Sequence, residues 1–323
     1  MSDFELNRKF LREQEVAGVS TREAFGQEIV RLAEGNEDIV VVNADLVNSL
    51  KLGEFAKKFP QRLVQVGVAE QNMAGVALGL ANYGKIPFIT SFAAFSPGLN
   101  WSQLRLAAQS NANIKVISSH YGLNIGEDGA SAQMLEDLAI MRVLPNLEVI
   151  TPADSIQTKQ ALAYAASKKG PVYIRLTREA YPVIYNDDYN FTPGAADLLT
   201  TGSSATLVAT GTMVGTAISI AKTLAARGKS MEVINAHTVK PLDADTIISS
   251  LQKTSRLITL EEHQLAAGMG SAVLEAITGK VKLDSYLAIG CEDRFGQSGS
   301  KDELLAHYGL DEQSILRKIT EFL

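Results

Sequence analysis

RLVQVGVAEQNMAGVALGLANYGKIPFITSF, residues 62–92, reads as strand, helix and strand in one short run. Leu63, Val64, Val66 and Val68 make an apolar opening limb, and 86–92 makes an apolar closing one. Between them, residues 70–83 are too rich in Ala, Val, Leu and Gly for a solvated helix and carry one charge, Glu70, at their start. Strands apolar on both faces and joined by helices form a parallel sheet covered on both sides. Glu70 is therefore a carboxylate set where water is excluded.

The same alternation extends outward. Ser20 and Glu23 in STRE (20–23) have the spacing of a capping box, and Phe25, Ile29, Leu32 and Ala33 follow at helical spacing up to Gly35. The pattern predicts a strand at 39–43, a helix through Phe55 to Phe59 ended by Pro60, a strand at 62–67, a helix at 70–83 and a strand at 86–92. Helices at about 101–109, 132–143 and 155–168 then alternate with strands at 114–119, 147–151 and 172–177. YPVIYNDDYNFTPGAAD (181–197) breaks the rhythm and marks a boundary. Strands at 205–211, 231–237, 256–262 and 285–290 follow, interleaved with helices at 213–227, 243–252 and 269–278, and terminal helices close the chain. The expected fold is α/β, two consecutive parallel-sheet domains covered by helices. Residues 1–19 read as an N-terminal extension, 20–185 as the first domain, 186–200 as a linker and 201–323 as the second.

A length of 323 residues suits two domains. A net charge of −6 argues against nucleic acid or an anionic membrane as the main partner. One cysteine, Cys291, excludes an intrachain disulfide and a thiolate cluster. The polar, acid-containing start MSDFELNRKFLREQE is unlike a secretory or transit peptide, and Pro87, Pro97, Asn100, Ser102 and Gln103 interrupt the uncharged stretch 86–104, so a cytoplasmic protein is expected.

Several motifs could carry chemistry. AAGMGSAV (266–273) follows a strand, but Val273 fills the third glycine position of a dinucleotide fingerprint; Gly268 and Gly270 read more simply as close helix–sheet packing. No P-loop and no serine elbow is present, and His120, His237, His263 and His307 are too scattered for a metal set. SHYGLNIGEDGASAQ (119–133) puts His120 and Asp128 in one loop after a strand, either as a ligand loop or as helix capping. Arg22, Arg175 and Arg178 lie near element ends and suit either an anionic ligand or surface ion pairs. Glu70 is either a helix cap or a carboxylate that shares a proton with a ligand nitrogen, beside an aromatic wall of Phe92 and Phe95 in SFAAF (91–95).

STRE, NADL, VGVAEQNMAGVALGLA, SFAAF, GEDGAS, LEDLAIMRVLPN, TPAD, GPVYIRLTR and DRFGQSG occur in an order that resembles the carboxyl-terminal half of transketolase, especially its split, two-subunit form. The resemblance runs from about residue 20 to the end. It implies a thiamine-diphosphate-binding pyrimidine domain followed by the transketolase C-terminal domain, and transfer of a two-carbon ketol unit from a ketose phosphate to an aldose phosphate. In that family the residue matching Glu70 hydrogen-bonds N1′ of the cofactor's aminopyrimidine and so helps the cofactor lose its C2 proton. Phe92 and Phe95 match pyrimidine-stacking aromatics, and Asp45 and Ser49 match a stretch near the cofactor and substrate. Asp128 matches a donor-sugar contact, and Arg22, His120 and Arg178 match the residues that hold the phosphate.

Two departures stand out. Ala132 replaces the family's usual histidine in Ser131-Ala132-Gln133, and Leu99 and Ser102 replace a common Arg and Asp, with Arg105 nearby. In that family Gly-Asp-Gly, followed one helix later by Asn, holds the metal and diphosphate. This chain offers only Gly126-Glu127-Asp128-Gly129 with no fitting Asn downstream, so the resemblance implies that the diphosphate and its Mg²⁺ (or Ca²⁺) lie on a partner, an N-terminal transketolase subunit, in an assembly of the α2β2 kind. No metal ligand is assigned to this chain. The alternatives are a 2-oxoacid dehydrogenase E1 β-like or deoxyxylulose-phosphate synthase-like subunit, and a non-catalytic assembly partner.

Overall fold

Apolar runs become strands, and apolar stripes become the helix faces laid on them. The computed structural model describes residues 6, 10, 18–123 and 125–323; the expected extension at 1–19 lies almost wholly outside them. Helix α1 (Thr21–Gly35) opens with Ser20 Oγ accepting from the Glu23 N–H at 3.3 Å and buries Phe25, Ile29 and Ala33. Strand β1 (Ile39–Asn43) is buried at every position. There follow α2 (Gly53–Lys58), β2 (Leu63–Gln65), α3 (Glu70–Asn82), β3 (Ile86–Phe92), α4 (Trp101–Gln109), β4 (Lys115–Ser119), α5 (Asp137–Arg142), β5 (Glu148–Ile150), α6 (Ser155–Ser167) and β6 (Val172–Leu176).

The second series is β7 (Asp197–Thr200), β8 (Ala205–Ala209), α7 (Met213–Ala225), β9 (Met231–Asn235), β10 (Thr238–Lys240), α8 (Ala244–Thr254), β11 (Arg256–Gln264), α9 (Met269–Ile277), β12 (Ser285–Cys291), α10 (Lys301–His307) and α11 (Glu312–Phe322). Among the described residues the strands form two sheets, ordered β10-β5-β6-β4-β3-β1-β2 and β12-β11-β8-β9-β7. Each is parallel except at one edge. Two α/β domains are therefore present.

In four details the structure differs from the pattern read in the sequence. The sheets are mixed, because β7 runs antiparallel to β9 and β10 antiparallel to β5. Both are short edge strands that cover exposed ladders, which needs no long parallel crossover. β7 also lies inside the stretch read as a linker, where four residues alternating buried and half-buried carry little pattern. Strand β9 stops at Asn235, and after two residues the chain crosses to the first sheet as β10, with Thr151 N–H donating to His237 O at 2.8 Å. The helix expected at 132–143 begins only at Asp137. Residues 134 and 135 have other partners: Gly122 N–H donates to Met134 O (2.7 Å) and Gln264 N–H to Leu135 O (2.8 Å).

Candidate functional site

In a parallel sheet, ligands meet the loops that leave the carboxyl ends of the strands. Five strands of the first sheet send candidate residues there: β1 leads to Asp45 and Ser49, β2 to Glu70, β3 to Phe92 and Phe95, β4 to His120, and β6 to Arg178.

Glu70 is the first residue of α3 and is buried, at 6% exposure. The preceding Ala69 has no capping side chain, so a carboxylate near the helix's positive end suits this position. Ser91 Oγ donates to Glu70 Oε1 at 3.3 Å, and among the described residues no other donor to this carboxylate is recorded. Asn100 Nδ2 holds Glu70 O at 3.3 Å and Ser96 Oγ at 3.1 Å, tying the helix start to the segment after β3. Ser91 and Asn100 were not singled out from sequence. Ser91 stands inside SFAAF, but only the register of β3 turns it toward the carboxylate.

Phe92 and Phe95 lie 6.1 Å apart between centroids, inclined at 24°. Phe92 also stacks on the His120 imidazole at 3.8 Å, so one of its faces is already covered. Phe92 thus joins the aromatic wall to the basic cluster.

That cluster forms around His120, whose backbone is left-handed (φ 62°) just beyond β4. Arg22 Nη1 donates to Ser49 O at 2.9 Å and lies 3.4 Å from His120 Nε2; His120 Nδ1 is 2.8 Å from Ser119 Oγ. Burial, then Arg22 and Arg178, lower the His120 pKa to about 3, so the ring is neutral. With Nε2 accepting from Arg22, the proton sits on Nδ1, toward Ser119. The positive charge of the cluster comes from the two arginines alone, which refines the expectation of three phosphate-holding groups. Arg22 Nε is buried without a partner among the described residues, a donor in a basic site.

Arg178 donates to Ile125 O and lies 3.8 Å from Glu127, 3.9 Å from Asp128 and 3.5 Å from Glu179. Asp128 is exposed and joins the cluster through Arg178. Asp45 is also exposed, and its N–H donates to Gln65 Oε1 at 3.2 Å; among the described residues no contact ties it to the aromatic wall. Ala132 is half-buried in the loop, and Leu99, Ser102 and Arg105 are exposed.

Arg175 stands apart from the cluster. It is buried in an ion pair with Asp137 (2.8 Å), over the Tyr121 ring at 3.6 Å, so its role is packing between elements. The glycines of 266–273 also serve packing. A Cβ on Gly268 would overlap Glu261, whose carboxylate accepts from Met269 N–H (2.6 Å) and Gly270 N–H (2.8 Å) at the start of α9. That helix end is filled by the protein itself. Among the described residues no three His, Cys, Asp or Glu side chains group as a metal site requires, and no helix is long and apolar enough to cross a membrane.

Glu70, whose carboxylate accepts from Ser91, and the phenyl rings of Phe92 and Phe95 at the same strand ends are the groups an aminopyrimidine would use: a carboxyl oxygen for a ring nitrogen and a flat apolar face for the ring. Two arginines, one of them Arg22 with a buried Nε–H that has no partner among the described residues, fit an anion.

Comparison with known proteins gives two family matches: the transketolase pyrimidine-binding domain over residues 17–183 and the transketolase C-terminal domain over 194–315. A Methanocaldococcus jannaschii protein named for the transketolase C-terminal section is 41% identical over 303 residues, 93% of this chain and 95% of that protein. The 6-deoxy-6-sulfo-D-fructose transketolase subunit SqwH of Clostridium sp. is 36% identical over 301 residues, 93% of each chain. A solved split-gene transketolase, an inactive β4 tetramer, superposes with TM-score 0.87 at 40% identity, covering 94% of this chain and 98% of that one.

Proposed function

The chain belongs to the transketolase family, bearing its pyrimidine-binding and C-terminal domains, and from that premise we propose that it is one half of a two-subunit thiamine-diphosphate enzyme moving a two-carbon ketol unit from a ketose phosphate to an aldose phosphate. The observation that carries this reading is the buried Glu70 carboxylate, held on one edge by Ser91 and placed at the same strand ends as Phe92, Phe95 and the Arg22–His120–Arg178 cluster.

Thiamine diphosphate, when bound, supplies the electron sink for breaking and remaking a carbon–carbon bond beside a carbonyl. The protein's part is narrower. Glu70 holds a proton between its free oxygen and a pyrimidine nitrogen, in a setting dry enough for that contact to bias the ring's tautomer. Phe92 and Phe95 keep the ring flat against the site. Arg22 and Arg178 hold the anionic tail of the sugar, Arg22 offering its unpaired Nε–H. His120 donates to that tail only after its proton moves to Nε2 or a second proton is gained. We assign Asp128 and Ser49 to the sugar path and Asp45 to its cofactor end.

Nothing in the sequence matches the Gly-Asp-Gly…Asn set for the diphosphate and Mg²⁺. We assign those groups to an N-terminal subunit and the site to the interface, in an α2β2 assembly acting in the cytoplasm. The split-gene relative, described as an inactive β4 tetramer, supports the dependence on a second subunit, and the subunit naming of the Clostridium relative supports it further. The division at 20–185 and 201–323 belongs to the same proposal, supported by the limits of the family matches.

The test is reconstitution. Mixed with a diphosphate-binding subunit, the chain should transfer ketol units between sugar phosphates, and Glu70→Gln should remove that activity without altering assembly. Wild-type turnover in the variant would reject the reading. The sulfosugar relative makes a sulfonate tail a second donor to try; it would change the substrate and leave the assigned chemistry intact.

A further inference from the structure

The loop that carries Asp128 and the Ile125 carbonyl is gripped from the second domain. Its glycines Gly126 (φ 75°) and Gly129 (φ 77°) hold a conformation in which a side chain is strained, and they face Gly299 O and Ser298. Ser298 Oγ donates to Glu127 O at 2.7 Å. From the end of the same loop, Gln133 Nε2 donates to Gln297 O at 2.9 Å and to Leu123 O at 3.4 Å. A Cβ on Gly296 would overlap Gln133 Oε1, so glycine at 296 is what lets Gln133 reach across.

The gripping turn is fixed to its own domain. Tyr308 OH donates to Phe295 O at 2.7 Å, and Gln264 Nε2 donates to Arg294 O at 2.7 Å. The loop, in turn, is held on its other side by Arg178, which donates to Ile125 O and ion-pairs with Glu127 and Asp128. A shift of residues 125–128 therefore moves the carbonyl and the carboxylates that aim the Arg178 guanidinium.

We infer that the turn at 294–299 is a clamp setting the affinity of the site for the anionic tail of its substrate, with Gly296, Ser298 and Gln133 as positioning residues. This rests on the assignment of Arg178 to that tail. It gives the second domain a task in substrate recognition.

Four variants in the assembled enzyme test it: Ser298→Ala, Gly296→Ala, Ser298→Thr and Arg178→Ala. KM and kcat are measured with D-ribose 5-phosphate and with D-ribose as acceptors, and amide hydrogen exchange is followed in residues 125–133. Ser298→Ala and Gly296→Ala should raise KM for the phosphorylated acceptor roughly 3–10-fold, the loss expected of one hydrogen bond. KM for ribose and kcat should stay within about two-fold, exchange in 125–133 should quicken, and Ser298→Thr should restore the parent values. If Arg178→Ala raises KM for the phosphate while Ser298→Ala does not, the clamp is refuted and the phosphate site stands. Faster exchange with unchanged KM also refutes it, leaving a packing contact. If Arg178→Ala leaves the phosphate KM unchanged, the site assignment fails and takes the clamp with it. Should Gly296→Ala not fold, the Ser298 pair decides.

Discussion

Glu70, Arg178 and His120 each make a claim that one substitution or one titration can check. Glu70→Gln keeps shape and polarity but removes the shared proton, so turnover of the assembled enzyme should fall on the order of 10²–10⁴-fold. Circular dichroism and assembly should be unchanged, since among the described residues the side chain accepts only from Ser91. Arg178→Ala should raise KM for phosphorylated substrates roughly 10–100-fold, the worth of a charge-assisted bond, with little change for unphosphorylated ones. Equal effects on both would show that Arg178 serves the fold. His120 is neutral because it is buried beside two arginines. A dianion seated between those arginines must reverse the bias, so phosphate binding should raise the His120 pKa above about 3 toward the ordinary range; imidazole chemical shifts with and without sugar phosphate measure this. Glu70 is legible as a sequence anomaly, one charge in an apolar helix start. The neutrality of His120 is not, because Arg22 and Arg178 are distant from it along the chain.

The elements whose register depends on their own apolar pattern are legible in advance: β1, α3, β3 and α7 fall within two residues of expectation. Those set by tertiary partners are not. Helix α5 starts late because Met134 and Leu135 are bound by Gly122 and Gln264, from other segments. Strands β7 and β10 are short and gain their ladders from β9 and β5. The glycines before α9 are correctly read as packing residues, but the group they admit, Glu261, shows only in three dimensions. Gly268→Ala would drive a methyl into that buried carboxylate and should destabilise the protein by about 1–3 kcal/mol, seen as a lower urea midpoint. An unchanged midpoint would mean that Glu261 can move aside at no cost.

At the scale of the molecule, the two domains share one buried apolar cluster: Ile117 and Ile174 of the first sheet belong with Leu207 and Ile258 of the second. The break in rhythm at 181–197 is visible in the sequence; the shared core is not, since its members are spread along the chain. Beside the core lies the buried Arg175–Asp137 pair, so Asp137→Ala should cost roughly 3–5 kcal/mol by leaving a buried charge unpaired. Burial also lowers the pKa values of His237 and His263 to about 4. Their contribution is present above about pH 6.5. It is lost as the pH falls through the folded value, because the unfolded chain takes up protons first. Asp197 and Glu261, pushed up to about 6 and about 7 by burial, act in the opposite sense and stabilise the acid side. The two sets oppose each other between about pH 7 and pH 4, so His263→Asn should tilt the melting-temperature profile toward greater stability at acid pH than the parent shows; an unchanged slope would contradict the account. The most direct test of the whole is calorimetric titration of the isolated chain with thiamine diphosphate and Mg²⁺, repeated with a diphosphate-binding subunit present. The account predicts a Kd weaker than about 1 mM for the chain alone and binding tighter by orders of magnitude in the mixture, whereas a Kd near 1 μM for the chain alone would contradict it.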